Sequence, residues 1–322
     1  MSETLLKVNN LRVHYETESE VVEAINGISF SIEKGETLGL VGETGAGKTT
    51  TAMTIMRLLQ RPPAKVISGS IEFEGEDILK VSEARMRKIR GNRISMVFQD
   101  PMTALNPVIS VGVQVAEVIR LHQKCSKAEA EKKAVEVLQM TGIMEDRFKD
   151  YPHQFSGGMK QRVIIATALA CNPVLLIADE PTTALDVTIQ AQVLEMIRSL
   201  QEKMGTSMLL ITHDLGVIAE TCDKVAVMYA GNIVEYGKLE QVFTNPKHPY
   251  TVGLFGSLPN IDDKATRLKP IKGLMPNPAN LPSYCSFYDR CDKKCDKCTS
   301  VEPKLQRVED EHYVSCRLYQ KE

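Results

Sequence analysis

Residues Gly42-Glu43-Thr44-Gly45-Ala46-Gly47-Lys48-Thr49 satisfy an eight-position pattern: Gly, four variable positions, Gly, Lys, then Ser or Thr. An apolar run of strand character, Thr37-Leu38-Gly39-Leu40-Val41, leads into it, and a helix-compatible run from Thr50 to Leu59 leads out. Strand, glycine-rich loop and helix in that order make a phosphate site. Glycine tolerates positive φ, so successive backbone N–H groups can converge on an anion. The helix N-terminus adds partial positive charge. Lys48 is placed to reach the β- and γ-phosphates of a nucleotide, and the Thr49 hydroxyl to bind Mg²⁺.

The 322 residues are enough for a full core and about two domains. Net charge is −2, which argues against a polyanion-binding protein driven by bulk charge and leaves no nucleic-acid partner indicated. No apolar run approaches the ~18 residues of a membrane span. The start, Met1 to Lys7, lacks a basic region followed by a long apolar stretch, so no signal peptide is read. The expected place is therefore the cytosol, with any membrane role exerted through a partner.

Further along, Leu5 to Ile32 reads as strands, with Tyr15 closing the first of them. An aromatic there can stack on adenine or pack half-buried in the strand. Residues 50–60 read as the helix after the loop, and 66–79 as a strand pair turning at Glu74 to Asp77. Ile94 to Phe98 is a short apolar strand with Gln99 at its end. Residues 110–150 are mostly helical, Ala128 to Leu138 carrying strong helix formers and an apolar face. Ser156-Gly157-Gly158 opens a helix from Met159 to Ala170, offering hydroxyl and N–H donors to a second phosphate face.

Val174 to Ala178 is a fully apolar run, as in a buried parallel strand. Asp179 and Glu180 follow at its carboxyl end. Adjacent carboxylates there are costly without work or partners. Asp179 is placed for the Mg²⁺ shell, and Glu180 to polarise an attacking water as general base. A helix follows from about Val187 to Glu202. Met208 to Ile211 is the next buried strand, ending in Thr212-His213-Asp214. A lone histidine is most simply structural. His213, however, is the fourth polar group at a strand end, where α/β sheets meet ligands, and that favours function. Val225–Tyr229 and Ile233–Tyr236 form a hairpin.

Together these residues resemble the ATP-binding subunit of an ABC transporter, over roughly residues 5–245. Lys48 lies in the Walker A motif and Asp179 in Walker B, with Glu180 beside it. Gln99 resembles the Q-loop, Ser156 to Gln161 the signature, Ala184-Leu185-Asp186 the D-loop, His213 the switch histidine and Tyr15 the adenine-stacking aromatic. Met159 stands where many members carry Gln. The stretches Gln99–Pro107, Tyr151–Arg162 and Asn245–Thr251 narrow the resemblance to oligopeptide and dipeptide importers.

The resemblance implies a P-loop NTPase (RecA-like) α/β core with an N-terminal antiparallel β subdomain and an inserted helical subdomain at about 100–165. It implies an ATPase domain over 1–245 and a C-terminal extension over 246–322. It assigns nucleotide contacts to Tyr15, Gly42 to Thr50, Gln99, Asp179, Ser156, Gly157 and Gly158. Mg²⁺ contacts fall to Thr49, Gln99 and Asp179, and catalysis to Glu180, His213, Lys48 and Gln99. It also implies partners: a second, different ATPase subunit forming a heterodimer closed by ATP, two membrane permease subunits, and indirectly an extracytoplasmic peptide-binding protein. Residues between Gln99 and Tyr151 would pass motion to the permeases, at the cytoplasmic face of the membrane. Nickel or another small solute is the alternative cargo.

Five of the eight cysteines, Cys285, Cys291, Cys295, Cys298 and Cys316, lie in the last part of the chain, after a Pro- and Gly-rich linker from Asn245 to Pro282. Clustered cytosolic cysteines bind metal more often than they form disulfides, and so small a region gains stability from a metal staple. Four thiolates suit a 4Fe–4S cluster or tetrahedral zinc. The importer resemblance implies a 4Fe–4S cluster on Cys285, Cys291, Cys298 and Cys316, with Cys295 left over.

Overall fold

The computed structural model describes residues 3–182, 186–256 and 271–320. The chain runs through β1 (Thr4–Glu16), β2 (Val21–Glu33), β3 (Thr37–Val41), α1 (Lys48–Ile55), β4 (Ala64–Phe73), β5 (Glu76–Asp77), α2 (Glu83–Ile89) and β6 (Ile94–Val97). Four helices follow: α3 (Pro101–Ala104), α4 (Val111–His122), α5 (Lys127–Met140) and α6 (Gly157–Leu169). Next come β7 (Leu175–Asp179), α7 (Val187–Met204), β8 (Ser207–Ile211), α8 (Leu215–Thr221), β9 (Lys224–Tyr229), β10 (Asn232–Lys238), α9 (Leu239–Thr244) and α10 (Pro249–Gly256). The strands β11 (Gln306–Glu309) and β12 (His312–Val314) end the order.

These elements gather into two compact units. The first takes in residues up to Thr4, Ile32–Thr37 and Lys80–Thr212. Its strands β6, β7 and β8 are parallel neighbours, with Ile94 opposite Leu175 and Leu175 opposite Ser207. All five residues of β7 and of β8 are buried, which explains their unbroken apolar character. Several of its helices are started by side chains that take up otherwise orphaned N–H groups. Ser126 and Glu129 make a reciprocal capping box on α5. Asp186 accepts from the Ile189 N–H on α7, which ends at Gly205 in the left-handed region (φ 63°). Helices α3 through α6 run from Pro101 to Leu169 within this unit.

The second unit takes in Leu5–Ser31, Leu38–Leu79 and the chain from His213 onward. An antiparallel sheet in the order β2-β1-β4-β5 buries Leu6, Val8, Leu11 and Val13 on one side. Alternation along β1 is the signature of a sheet with one dry face. Beside it, β3 runs parallel to β9, β9 pairs antiparallel with β10, β10 with β12 and β12 with β11. Every residue of β3 is buried, and the strand delivers the chain straight into the glycine loop.

Three expectations are adjusted. The helix after the loop is Lys48–Ile55, starting two residues before Thr50 and stopping short of 60. Asp179 is the last residue of β7 rather than the first beyond it. The stretch read as a linker contains α10, and the cysteine-rich region carries β11 and β12, whose pairing reaches β10. Polar, short strands such as Gln306-Arg307-Val308-Glu309 carry too little alternation to be seen in sequence. Ala184 and Leu185 of the D-loop reading lie outside the described residues.

Candidate functional site: a phosphate loop and two strand ends

In the second unit, β3 gives way at Gly42 to the loop predicted from sequence. Gly42, Gly45 and Gly47 all have positive φ (147°, 85° and 104°). A Cβ on Gly42 would lie 2.2 Å from the Met228 carbonyl oxygen, and one on Gly47 2.6 Å from that of Ala24. Both glycines are thus required by space as well as by backbone conformation. Gly47 is the residue from which α1 starts, and Thr51 Oγ1 donates to its carbonyl at 2.9 Å. The loop is pinned from below by the Gly231 N–H donating to the Ala46 carbonyl at 3.1 Å.

Lys48 is buried, and its Nζ donates to the carbonyls of Gly42 (2.7 Å) and Glu43 (3.1 Å). Thr44, Gly45 and Thr49 are exposed at the mouth of the loop. Tyr15, half-buried on β1, places its hydroxyl 3.4 Å from Thr50 Oγ1. His213 is exposed at the start of the turn into α8, where Asp214 caps the helix by accepting from the N–H groups of Gly216 and Val217.

Glu43 carries partners that sequence reasoning missed. Its carboxylate takes both arms of the Arg290 guanidinium, at 2.9 and 3.1 Å, and its N–H donates to the Tyr250 hydroxyl at 3.0 Å. Burial raises the pKa of both Tyr250 and Tyr229, so each hydroxyl stays protonated. An arginine just before a cysteine carries no signal in sequence that names its partner.

In the first unit, Gln99, Asp179 and Glu180 sit at the ends of β6 and β7. Asp179 is 2 % exposed. Glu180 is half-buried with φ 46°, a left-handed conformation uncommon outside glycine. Its N–H donates to the Ile211 carbonyl at 2.8 Å, which fixes that geometry to β8. The Gln99 amide donates to the Glu180 carboxylate at 2.8 Å, so the unit brings these two predicted residues together.

In the same unit Ser156 caps α6 through the Met159 N–H, and Ser156 and Gly157 are exposed there. Gly158 is held bare of side chain by Ile189, whose Cγ2 would lie 2.7 Å from an added Cβ. Gln161, buried, donates to the Pro181 carbonyl at 2.6 Å and ties the glycine-led helix to the segment just beyond Glu180.

Cys285, Cys291, Cys298 and Cys316 line one small cavity of about 10 Å³, together with His248, Phe287 and Tyr288 among others. Cys295 lies outside that lining, its sulfur 3.3 Å from that of Cys298. Burial raises the thiol pKa of Cys285 and of Cys316 to about 11. Among the described residues, no group of three or more His, Cys, Asp or Glu side chains is arranged to hold a metal ion.

Comparison with known proteins defines the class. A family model described as ABC transporter matches residues 25–183, and one described as the oligopeptide/dipeptide transporter C-terminal region matches residues 234–298. A solved dimeric, post-hydrolysis structure of the ATP-binding cassette MJ0796, bound to ADP and phosphate, superposes with a TM-score of 0.66 at 28% identity. It covers 73% of this chain and 98% of its own. The protein therefore has the fold of an ABC ATPase cassette, a P-loop α/β NTPase with a β subdomain.

The oligopeptide transport ATP-binding protein AppD of Bacillus subtilis (strain 168) is 51% identical over 321 residues, 99% of this chain and 98% of AppD. The dipeptide transport ATP-binding protein DppD of the same organism is 49% identical, over 98% of this chain and 95% of DppD. The chain belongs to the family of ATP-binding subunits of oligopeptide and dipeptide ABC transporters.

Proposed function

We propose that this chain is the subunit that binds and hydrolyses ATP to energise a peptide importer. The observation that carries this reading is likeness along essentially the whole chain, cysteine-rich end included, to oligopeptide and dipeptide transport ATPases. Within the second unit, Gly42 to Thr50 cradle the phosphates, Lys48 leaves the Gly42 and Glu43 carbonyls for the β- and γ-phosphates, and Tyr15 meets the adenine. Within the first, Glu180 orients and deprotonates the attacking water, and Gln99 holds the carboxylate of Glu180 in place. His213 assists at the reacting phosphate. Ser156, Gly157 and Gly158 present hydroxyl and N–H donors to a nucleotide held by a partner cassette.

For Mg²⁺ the first unit offers the buried carboxylate of Asp179 and the amide oxygen of Gln99, and the second offers the exposed Thr49 hydroxyl, each a hard oxygen donor. It would supply charge neutralisation on the phosphates. Thr49, Gln99 and Asp179 are the residues that would hold it.

The partner is a second, different cassette, making a heterodimer docked on two membrane permeases at the cytoplasmic face. An extracytoplasmic peptide-binding protein delivers cargo. No helix among the described residues is long and apolar enough to cross a membrane. The ATPase domain spans 1–245 and the extension 246–322.

The extension holds a 4Fe–4S cluster on Cys285, Cys291, Cys298 and Cys316, with zinc as the other Cys₄ option. What supports this is the donor set: four thiols line one small cavity that Cys295 does not, and they would have to draw together around the cluster, since among the described residues no group of three stands arranged to hold a metal ion. Anaerobic purification with iron, sulfide and zinc analysis tests it. About four iron and four sulfide per chain are expected of the cluster. Neither iron nor zinc would remove it.

The transport reading is tested by reconstituting the chain with its membrane subunits in vesicles. ATP-dependent uptake of a labelled peptide is expected, and loss of that uptake in Lys48→Ala. Uptake indifferent to Lys48→Ala would overturn it.

A further inference from the structure

Arg290 is 7 % exposed, yet it belongs to the cysteine-rich region, one residue before Cys291. Its guanidinium forks onto both carboxylate oxygens of Glu43, the second residue of the phosphate loop, at 2.9 and 3.1 Å. Its Nε donates to the Lys272 carbonyl at 3.0 Å. The same group lies over the rings of Tyr229 and Phe287, 5.7 and 5.9 Å from their centroids. A bidentate, largely desolvated arginine–carboxylate pair holds direction as well as distance.

Glu43 is in fact fixed at three points. The side chain is held by Arg290, the N–H by the Tyr250 hydroxyl at 3.0 Å, and the carbonyl by both Lys48 Nζ and the Ala46 N–H, each at 3.1 Å. Arg290 and Tyr250 both come from beyond residue 245. A further contact reaches the loop from the same region: Met275 Cε lies 3.0 Å from where a Cβ on Gly45 would stand. If a nucleotide draws Lys48 away, the Ala46 N–H still holds the carbonyl, and the ties to Arg290 and Tyr250 remain.

We propose that Arg290 is a positioning residue for ATP: through Glu43 it presets the backbone of the phosphate loop, so that nucleotide affinity depends on the cysteine-rich region. The inference rests on the reading of Gly42–Thr49 as the ATP phosphate site. A preset loop contributes the same binding in ground and transition states, so its loss raises KM with little change in kcat. A loss of fold alone would instead reduce the active fraction and lower kcat.

The experiment measures the dissociation constant of a fluorescent ATP analogue with Mg²⁺ on the full chain. The proteins are wild type, Arg290→Gln, Glu43→Gln, the double variant and Lys48→Ala. Each single change at the pair is expected to weaken binding about five- to tenfold, the low end of the range for coupled sites. The double variant is expected to be no weaker than either single, because both remove one interaction. In the assembled ATPase, KM for ATP should rise by a similar factor with kcat within about twofold. Should Arg290→Gln fail to fold, Glu43→Gln tests the same link from the loop side. Single variants that bind like wild type, or effects that simply add, would overturn the proposal. Lys48→Ala separates this failure from that of the underlying reading: unchanged affinity there would mean that the loop is not the ATP site.

Discussion

The side-chain amide of Gln99 donates to the carboxylate of Glu180 at 2.8 Å, across the ends of the neighbouring parallel strands β6 and β7. Glu180 meanwhile adopts a left-handed backbone (φ 46°) that its N–H bond to the Ile211 carbonyl maintains. Such strain in a non-glycine residue costs about 1–3 kcal/mol and persists where the surroundings over-determine it. A carboxylate strained in backbone and tethered in side chain has its direction fixed before substrate arrives. Gln99→Ala is therefore expected to lower ATP turnover by about tenfold or more, a larger loss than the fall in nucleotide affinity from one fewer Mg²⁺ ligand. Steady-state hydrolysis alongside equilibrium binding checks the split.

Gly158 has a steric reason to be glycine. An added Cβ would sit 2.7 Å from Ile189 Cγ2, between the helices α6 and α7. Gly158→Ala is expected to destabilise by about 1–3 kcal/mol, the usual cost of overpacking. Ile189→Ala in the same chain should return part of that loss by making room. Chemical denaturation of the three variants gives the comparison. Equal losses in Gly158→Ala with and without Ile189→Ala would contradict the assignment.

Glu235 on β10 is fully buried and accepts from the N–H groups of Lys247 and His248 at 2.8 and 2.9 Å. Its Oε1 is also 2.7 Å from Nε2 of His312 on β12. Removing the carboxylate strands two backbone donors and an imidazole in a dry interior. Glu235→Ala is expected to cost about 3–5 kcal/mol, and Glu235→Gln less, since one amide oxygen can still accept. A melting temperature in Glu235→Ala equal to wild type would show that the network contributes nothing.

Cys222, buried against Gly39, has its thiol pKa raised to about 12 by desolvation. The folded pKa lies above the unfolded 9.0, so the folded chain favours the neutral thiol. Its stabilising contribution is complete below about pH 9 and is lost as pH rises toward 12. Cys222→Ala is expected to flatten the alkaline limb of the stability curve relative to wild type. Parallel curves for the two proteins would contradict this.

Much of the fold was legible because its signals are local. The runs Leu175–Ala178 and Met208–Ile211 are apolar throughout because β7 and β8 are covered on both faces. Ser156 and the glycines after it announced α6, and the strand–loop–helix order announced β3, the glycine loop and α1. What stayed hidden depends on contacts distant in sequence. Glu43 and Arg290 meet only after the chain folds, and neither residue type advertises the other. The strand pair β11–β12 is short and mixed in polarity, and is held by pairing with β10 rather than by its own pattern. The left-handed backbone at Glu180 is likewise imposed by β8 and not by residue type.

The most direct test compares single-turnover ATP hydrolysis by the assembled importer carrying wild-type chain or Glu180→Gln. Glu180→Gln keeps the size of the side chain and removes its basicity. ATP should still bind, turnover at this site should fall at least about a hundredfold, and the ATP-bound dimer should persist. Undiminished turnover with ATP bound would remove Glu180 from the chemistry and contradict the account of the site.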